Sequence, residues 1–387
     1  MDLDFSPEQE LLRETVRGVC ARHAGPDVVR AMEDDPLGYP EDLWRQLGEL
    51  GLIGLTLPER WGGSEMSMLD ASIVYAELGR ALTPSPHFVS SVMAGGVLVL
   101  AGSDDHTAAW LPRIATGEAI LSTAWLEPGR GFGPEGVRLP AERDGDGWRL
   151  TGVKQHVPFA GVAERILILA RTDEGITLFL LDPTAEGVTR TQQRSMASDT
   201  QFRLDLDGAR VGPDDVVGTL GNGWTTWAEV LQDGLILLAA WAAGGATRAL
   251  EMTVQYAKDR RQFDKPLGAF QAISHYLADA ATAVDGATTL AWEAAWARTA
   301  GKPVGRLAPM AKLFACQTFR DVTATGQQVY GGMGFTVECD IQLYFRRAKQ
   351  LQISWCDSRR LEELVAADVL DTEQAAAPGV LPTPVPS

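Results

Sequence analysis

Residues Tyr256 to Ile273, YAKDRRQFDKPLGAFQAI, join two long helical patterns through a short break. The apolar run before them ends in Arg260 and Arg261, and Lys265-Pro266 interrupts the spacing, which resumes near Phe270. Proline breaks a helix because it lacks an N–H and its ring crowds the preceding turn. Around this break sit an arginine, two amides (Gln262 and Gln271) and an aromatic ring (Phe263). That set suits a large planar anionic ligand. A guanidinium forks onto phosphate oxygens, a ring offers a stacking face, and amides read hydrogen-bond edges. A solvated helix end, with basic residues complementing the dipole, has the same makeup. The residues alone leave both readings open.

The chain has 387 residues, 45% hydrophobic and 22% charged, a globular composition long enough for two or three structural units. A net charge of -17 argues against a nucleic-acid partner, which needs a basic footprint. It leaves room for phosphate-bearing cofactors held by a few local arginines. Cys20, Cys316, Cys339 and Cys356 form no C-x-x-C pair, so reduced thiols are expected, and no metal site. The start, MDLDFSPEQE, lacks a signal-peptide core. The most apolar run, Gly234 to Ala246, lies between Asp233 and Arg248 and is too short to span a bilayer. A cytoplasmic protein is expected.

Helical patterns dominate the first third. Ser6-Pro7-Glu8-Gln9 is a capping box with proline in the first turn. Leu11, Leu12, Val16 and Val19 follow at helical spacing, and further helices are expected over 41–50, 68–82 and 90–101. From Ala119 the texture changes to short β-rich runs. Gly147 to Gly152 reads as a strand entering a turn, followed by runs at 165–170 and 176–181. Phe202-Arg203-Leu204-Asp205-Leu206 alternates with period two. After Trp224, alanine-rich helices are expected over 228–257, 269–300, 307–330 and 358–370. The chain is therefore read as mainly α with a central β domain: 1–118 helical, 119–222 β, 223–370 a helical bundle, and 371–387 a flexible tail.

The elements Y-A-x-x-R-x-Q-F and K-P-x-G-x-F-Q-A in 256–272 resemble the signature of the acyl-CoA dehydrogenase family of flavoproteins. Gln327 to Phe335, QQVYGGMGF, is similar to that family's Q-x-x-G-G-x-G-F/Y element, and Leu55 to Gly63 resembles its P-E-x-x-G-G loop. The resemblance implies a three-domain fold: an N-terminal helical domain, a β-barrel or sheet domain, and a C-terminal four-helix bundle. It also implies bound FAD and α,β-dehydrogenation of an acyl thioester, either acyl-CoA or an acyl-carrier thioester. By matching position, Arg260, Gln262, Phe263, Gln271, Gln328, Gly331 and Gly332 would hold the adenosine and pyrophosphate side of FAD across a subunit interface. An electron-transfer flavoprotein is the acceptor the family implies.

The matching fails around the flavin ring and the base. Asp264 stands where the family has glycine. The T-E-P-x-A-G-S-D loop corresponds to Leu126-Glu127-Pro128-Gly129-Arg130-Gly131-Phe132-Gly133. The G-x-K-x-W-I-T/S-N strand corresponds to Gly152-Val153-Lys154-Gln155-His156-Val157-Pro158-Phe159, so an aromatic wall becomes His156 and a hydroxyl becomes Pro158. His156 alone reads as a partly buried structural histidine. Most members carry the catalytic glutamate in Y-E-G-T after an R-D-A element; in register from Arg346, that position is Trp355. The alternative base position, on the helix before the arginine motif, is Gly234. Asp233 and Asp357 lie one or two positions away and are weak substitutes, since one residue turns a helical side chain by about 100°. Glu338 corresponds to a family glutamate that is usually structural.

Three readings follow from this pattern. The chain resembles the partner-type subunit of bacterial heteromeric acyl-CoA dehydrogenases, lacking the glutamate and completed by a related chain. Alternatively it is a homomeric flavoenzyme with a non-standard base (Asp233, Asp357 or a bound water) and a biosynthetic acyl substrate. The last reading is a scaffold that has lost FAD.

Overall fold

The computed structural model describes residues 4–370, so the expected tail at 371–387 lies outside the described residues. Ser6 opens helix α1 (Pro7–His23) through the capping box, its Oγ accepting the Gln9 N–H while Gln9 Oε1 accepts the Ser6 N–H at 3.1 Å. Helices α2 (Pro26–Ala31) and α3 (Glu41–Glu49) follow. Helix α4 (Met68–Arg80) begins with a second capping box, Ser67 to Asp70. Helix α5 (Phe88–Ala101) starts two residues earlier than the spacing indicates and is π-helical over Phe88–Gly95. Helix α6 (Asp104–Thr116) has no counterpart in the sequence reading, where Pro112 interrupts its pattern.

The β region forms two four-stranded sheets. Strands β1 (Leu121–Ala124), β2 (Ala141–Asp144), β3 (Gly147–Pro158), β4 (Arg165–Thr172), β5 (Gly175–Leu181), β6 (Val188–Gln193), β7 (Gln201–Val211) and β8 (Val216–Val217) assemble in the orders β1-β4-β5-β8 and β2-β3-β7-β6. The turn expected at Gly152 is a bulge instead. Gly152 takes φ +145°, the register shifts between Leu150 and Gly152, and β3 runs on to Pro158. The unbroken apolar run of β4 reflects burial on both faces. Ile166 and Ile168 enter the core between the sheets, while Leu167 and Leu169 enter the main helical core.

Helix α7 (Gly223–Asp259) is the spine of the molecule. It is long and apolar enough to cross a membrane by length and composition, but 78% of its most apolar window is buried inside the fold. A glycine on each helix lets α4 lie directly on it. A Cβ at Gly244 would meet the Ala76 carbonyl oxygen at 1.9 Å, and one at Gly79 would meet that of Trp241 at 1.9 Å. Helices α8 (Gln271–Thr299) and α9 (Leu307–Tyr330) pack along α7. Helix α10 (Ile341–Ile353), which the sequence reading passes over, and α11 (Ser358–Leu370) complete the bundle.

Candidate active site

The two bundle motifs meet at the far end of α7. Arg260 ends the helix, its N–H bonding the Tyr256 carbonyl at 2.8 Å. A hairpin of β9 (Arg261–Gln262) and β10 (Lys265–Pro266) follows. Its tip residues Phe263 and Asp264 have φ +51° and +60°, the conformation of a two-residue primed turn. This explains why glycine suits position 264. Asp264 occupies it at the exposed tip, with its backbone carbonyl accepting from Arg261 Nη2 at 2.8 Å. Tyr256 of the first motif stacks on Tyr330 of the second, with ring centroids 4.1 Å apart and planes at 16°. Below them Ala257, Leu277 and Val329 form a small core.

Arg260, Gln262, Phe263, Gln271 and Gln328 are all exposed around this junction, and Phe263 is 81% exposed. Among the described residues, no hydrogen bond or ion pair engages the side chains of Arg260, Gln262, Gln271 or Gln328. Gly331 (φ +62°) and Gly332 leave open backbone, with nothing within 4 Å of an added Cβ. Free polar groups beside open backbone form a surface ready to receive a ligand.

The other candidate positions lie toward the start of α7, against the β domain. Glu127 and Lys154 form a buried pair there, Oε1 to Nζ 2.7 Å, and Nζ also donates to the Trp125 carbonyl at 3.2 Å. Glu127 Oε1 further accepts the Arg138 and Leu139 N–H groups, each at 2.9 Å. Burial pushes Lys154 down to about 8, against the pull of Glu127. The retained Glu-Pro thus fixes the loop that walls the site. A cavity of about 380 Å³ opens beside it, lined by Trp125, Leu126, Gln155, His156, Pro158 and Trp355 among others. His156 is not partly buried as expected. It is exposed at φ +53°, with Nδ1 2.9 Å from Gln201 Oε1.

A second cavity of about 160 Å³, lined by Tyr75, His87, Phe88, Leu238 and Trp241, shares Pro158, Asp199, Gln350, Ser354 and Trp355 with the first. Trp355 is therefore the partition between them. Its indole lies 4.8 Å from the Phe88 ring, edge-on, and stacks with Trp125 and Trp227 at 6.3 and 6.4 Å. Phe88 also covers Gly234, where an added Cβ would lie 3.1 Å from its Cζ and 2.9 Å from Met93 Sδ. One ring thus fills the space over both positions at which the sequence comparison seeks a base.

Neither nearby carboxylate opens into these cavities. Asp233 Oδ1 lies 2.6 Å from Arg298 Nε, and Glu229 binds the same guanidinium at 2.9 Å. Burial raises the Asp233 carboxyl, with Arg298 opposing. Asp357 accepts the Arg360 N–H at 2.9 Å and so caps α11. At Glu338 the contact is through the backbone carbonyl, to Arg30 Nη2 at 3.0 Å.

Two residues that sequence reasoning missed build the plug. Phe88 reaches it from an element far away in sequence. Lys312, fully buried on α9, donates to the carbonyls of Leu351, Ser354 and Cys356 at 3.2, 2.9 and 2.9 Å. It thereby holds the loop in which Trp355 (φ +52°) and Cys356 (φ +76°) take left-handed backbone. The available signal was a lone lysine inside the apolar run LAPMAKLFAC.

Residues 6–118, 122–207 and 221–368 match the N-terminal, middle and C-terminal domains of acyl-CoA dehydrogenase, respectively. The chain is 30% identical to the mitochondrial short-chain specific acyl-CoA dehydrogenase of Bos taurus, over 94% of this chain and 90% of that protein. Among solved structures it resembles butyryl-CoA dehydrogenase from Megasphaera elsdenii, with TM-score 0.87, 25% identity, and 96% and 100% of the two chains covered. It also resembles a chain of the ChsE4-ChsE5 complex from Mycobacterium tuberculosis, with TM-score 0.87, 28% identity, and 98% and 100% covered. Matched in all three domains, this chain belongs to the acyl-CoA dehydrogenase family of FAD-dependent oxidoreductases.

Proposed function

We propose that this chain is the base-deficient subunit of a cytoplasmic heteromeric acyl-CoA dehydrogenase, acting in α,β-dehydrogenation of an acyl thioester. The observation that carries the reading is the aromatic plug: Phe88 packs on Trp355 and over Gly234, leaving no carboxylate at either position. FAD, when bound, supplies the hydride acceptor. The bundle end of this chain fits its phosphate-bearing side, through the unpartnered Arg260, Gln262, Gln271 and Gln328 and the open Gly331-Gly332 backbone. The ring side fits poorly, since Leu126 and Pro158 carry no side-chain donor and the Pro158 carbonyl already accepts from Ser122 Oγ.

Geometry along α7 supports a second chain. Gly234 and Arg260 are separated by about 40 Å at the helical rise of 1.5 Å per residue. One dinucleotide does not bridge that distance within a single chain. A related chain laid against the exposed Phe263, Phe335 and Val337 would supply the ring contacts and the carboxylate base, which takes the α proton. The ChsE4-ChsE5 structure is named as a complex of two components, which favours the heteromer. Electrons then pass to an electron-transfer flavoprotein. The homomeric reading is weakened because Asp233 and Asp357 are both engaged elsewhere.

Expression with and without a family-related partner chain tests this. Alone, the chain should retain little flavin and dehydrogenate no acyl-CoA; together, both properties should appear. A yellow, fully active protein from this chain alone would overturn the proposal. Absence of flavin from every assembly would favour the scaffold.

A further inference from the structure

The smaller cavity has a feature that no dehydrogenation step uses. Arg347, on α10, stands where the R-D-A element has its aspartate, and its half-buried side chain lines that cavity. Its neighbour Arg346 is fully engaged, with Glu33, with Gln342 Oε1 at 2.7 Å and with the Met196 carbonyl at 3.4 Å. Among the described residues, Arg347 makes no hydrogen bond or ion pair. A guanidinium that borders a cavity and bonds to none of its walls is free to receive an acceptor from a ligand. Burial accordingly pulls the Arg347 guanidinium below its usual value, with Asp199 and Glu33 opposing and Arg346 adding to the effect.

We propose that this cavity is a binding site for a carboxylate on a short carbon chain, which Arg347 grips in a forked pair. The walls suit such a ligand. Met32, Leu238 and Trp241 offer apolar surface, while Ser85, Thr200 and Gln350 offer polar groups. The volume, about 160 Å³, matches cavities that hold a benzene-sized molecule. The other ionisable groups do not compete for the ligand. Tyr75 and His87 are bonded to each other, O to Nδ1 2.8 Å, and His87 Nε2 bonds the Leu52 carbonyl at 2.9 Å. Glu33 is paired with Arg346, and the Asp199 carboxylate accepts from Ser195 Oγ. Asp199 is the one carboxylate lining the cavity, and it weakens the site by repulsion without closing it.

A free small carboxylate and the carboxyl end of a dicarboxylic acyl thioester share this chemistry. Calorimetric titration of the protein, with its partner chain if they purify together, separates the two. The probes are pentanoate, pentanoyl-CoA and the five-carbon dicarboxylic acyl-CoA thioester. Binding of pentanoate assigns a free carboxylate. Binding of the dicarboxylic thioester with no comparable affinity for pentanoyl-CoA assigns the acyl end. In either case Arg347→Met should weaken the anion about ten- to a hundredfold. Arg347→Lys should recover part of that loss, since it restores charge without the fork. Asp199→Asn should tighten binding severalfold, an effect that needs no change at Arg347 and so survives a misfolded Arg347 variant. The proposal is overturned if pentanoate does not bind and the dicarboxylic thioester binds no tighter than pentanoyl-CoA. So it is by an anion affinity that ignores both the Arg347 and the Asp199 substitutions. These affinities are read without turnover, so the outcome stands apart from which chain holds the base.

Discussion

The two ends of α7 are built on opposite principles. At Arg260 the chain leaves a guanidinium, three amides and open glycine backbone facing outward, without partners among the described residues. At Trp355 protein packs against protein between the two cavities: three indoles and the Phe88 ring lie together, and buried Lys312 ties the loop down through three carbonyls. A surface held for something else costs little folding stability when altered. A plug held for itself costs much. The difference separates a surface whose polar groups stay open to solvent from a site where side chains satisfy one another.

The most damaging single change should be Lys312→Met. It removes the shared donor of three buried carbonyls and frees a loop with two left-handed residues, for a loss of about 3–5 kcal/mol in urea unfolding. A loss below about 1 kcal/mol would mean that the indoles, not the lysine, hold the loop. Next comes acid. His87 is neutral and fully buried, its pKa pulled from 6.5 to about 4 by burial. The unfolded chain takes up its proton first as pH falls. Stability from this group is therefore complete above pH 6.5 and declines as pH approaches 4, by about 3 kcal/mol. His87→Gln should flatten the pH dependence of unfolding in that window, whatever its effect at neutral pH.

Much of this organisation was legible in residues close together in sequence. Ser6 and Gln9 announced a helix start, β7 announced its buried face by alternation, and Lys265-Pro266 marked the break between α7 and α8. What escaped was set by contacts between distant segments. Phe88 meets Trp355 and Gly234 only after the N-terminal and C-terminal domains assemble, and no local pattern predicts a shared ring. Helix α10 was hidden because its charged residues Arg346, Arg347 and Lys349 blur the apolar spacing, while α6 was hidden by Pro112. His156 was misjudged for a different reason. Its left-handed backbone at a strand irregularity turns the ring outward, which a period-two reading does not foresee.

Gly234→Ala probes the plug more gently. The new methyl would meet Met93 Sδ and Phe88 Cζ at 2.9 and 3.1 Å, and both are side chains able to give a little. A loss of about 1–3 kcal/mol is expected, with a change in near-ultraviolet circular dichroism as Phe88 shifts against Trp355. An unchanged spectrum would show that the cavity beneath absorbs the methyl and that Phe88 does not seal both positions.

Arg260→Met should then be nearly silent for folding, within about 0.5 kcal/mol, because the side chain is exposed and bonded to none of the described residues. Its backbone N–H, which ends α7, is kept. The same substitution should weaken flavin retention by the assembled protein about tenfold or more, the worth of a charge-assisted hydrogen bond. Arg261→Met is the internal control. It removes a contact to the Asp264 carbonyl and should loosen the hairpin while sparing the free guanidinium beside it. If Arg260→Met destabilises the chain as much as Gly234→Ala does, the contrast between the two ends fails. If flavin retention ignores Arg260 yet follows Arg261, the ligand-facing arginine has been assigned one residue too early.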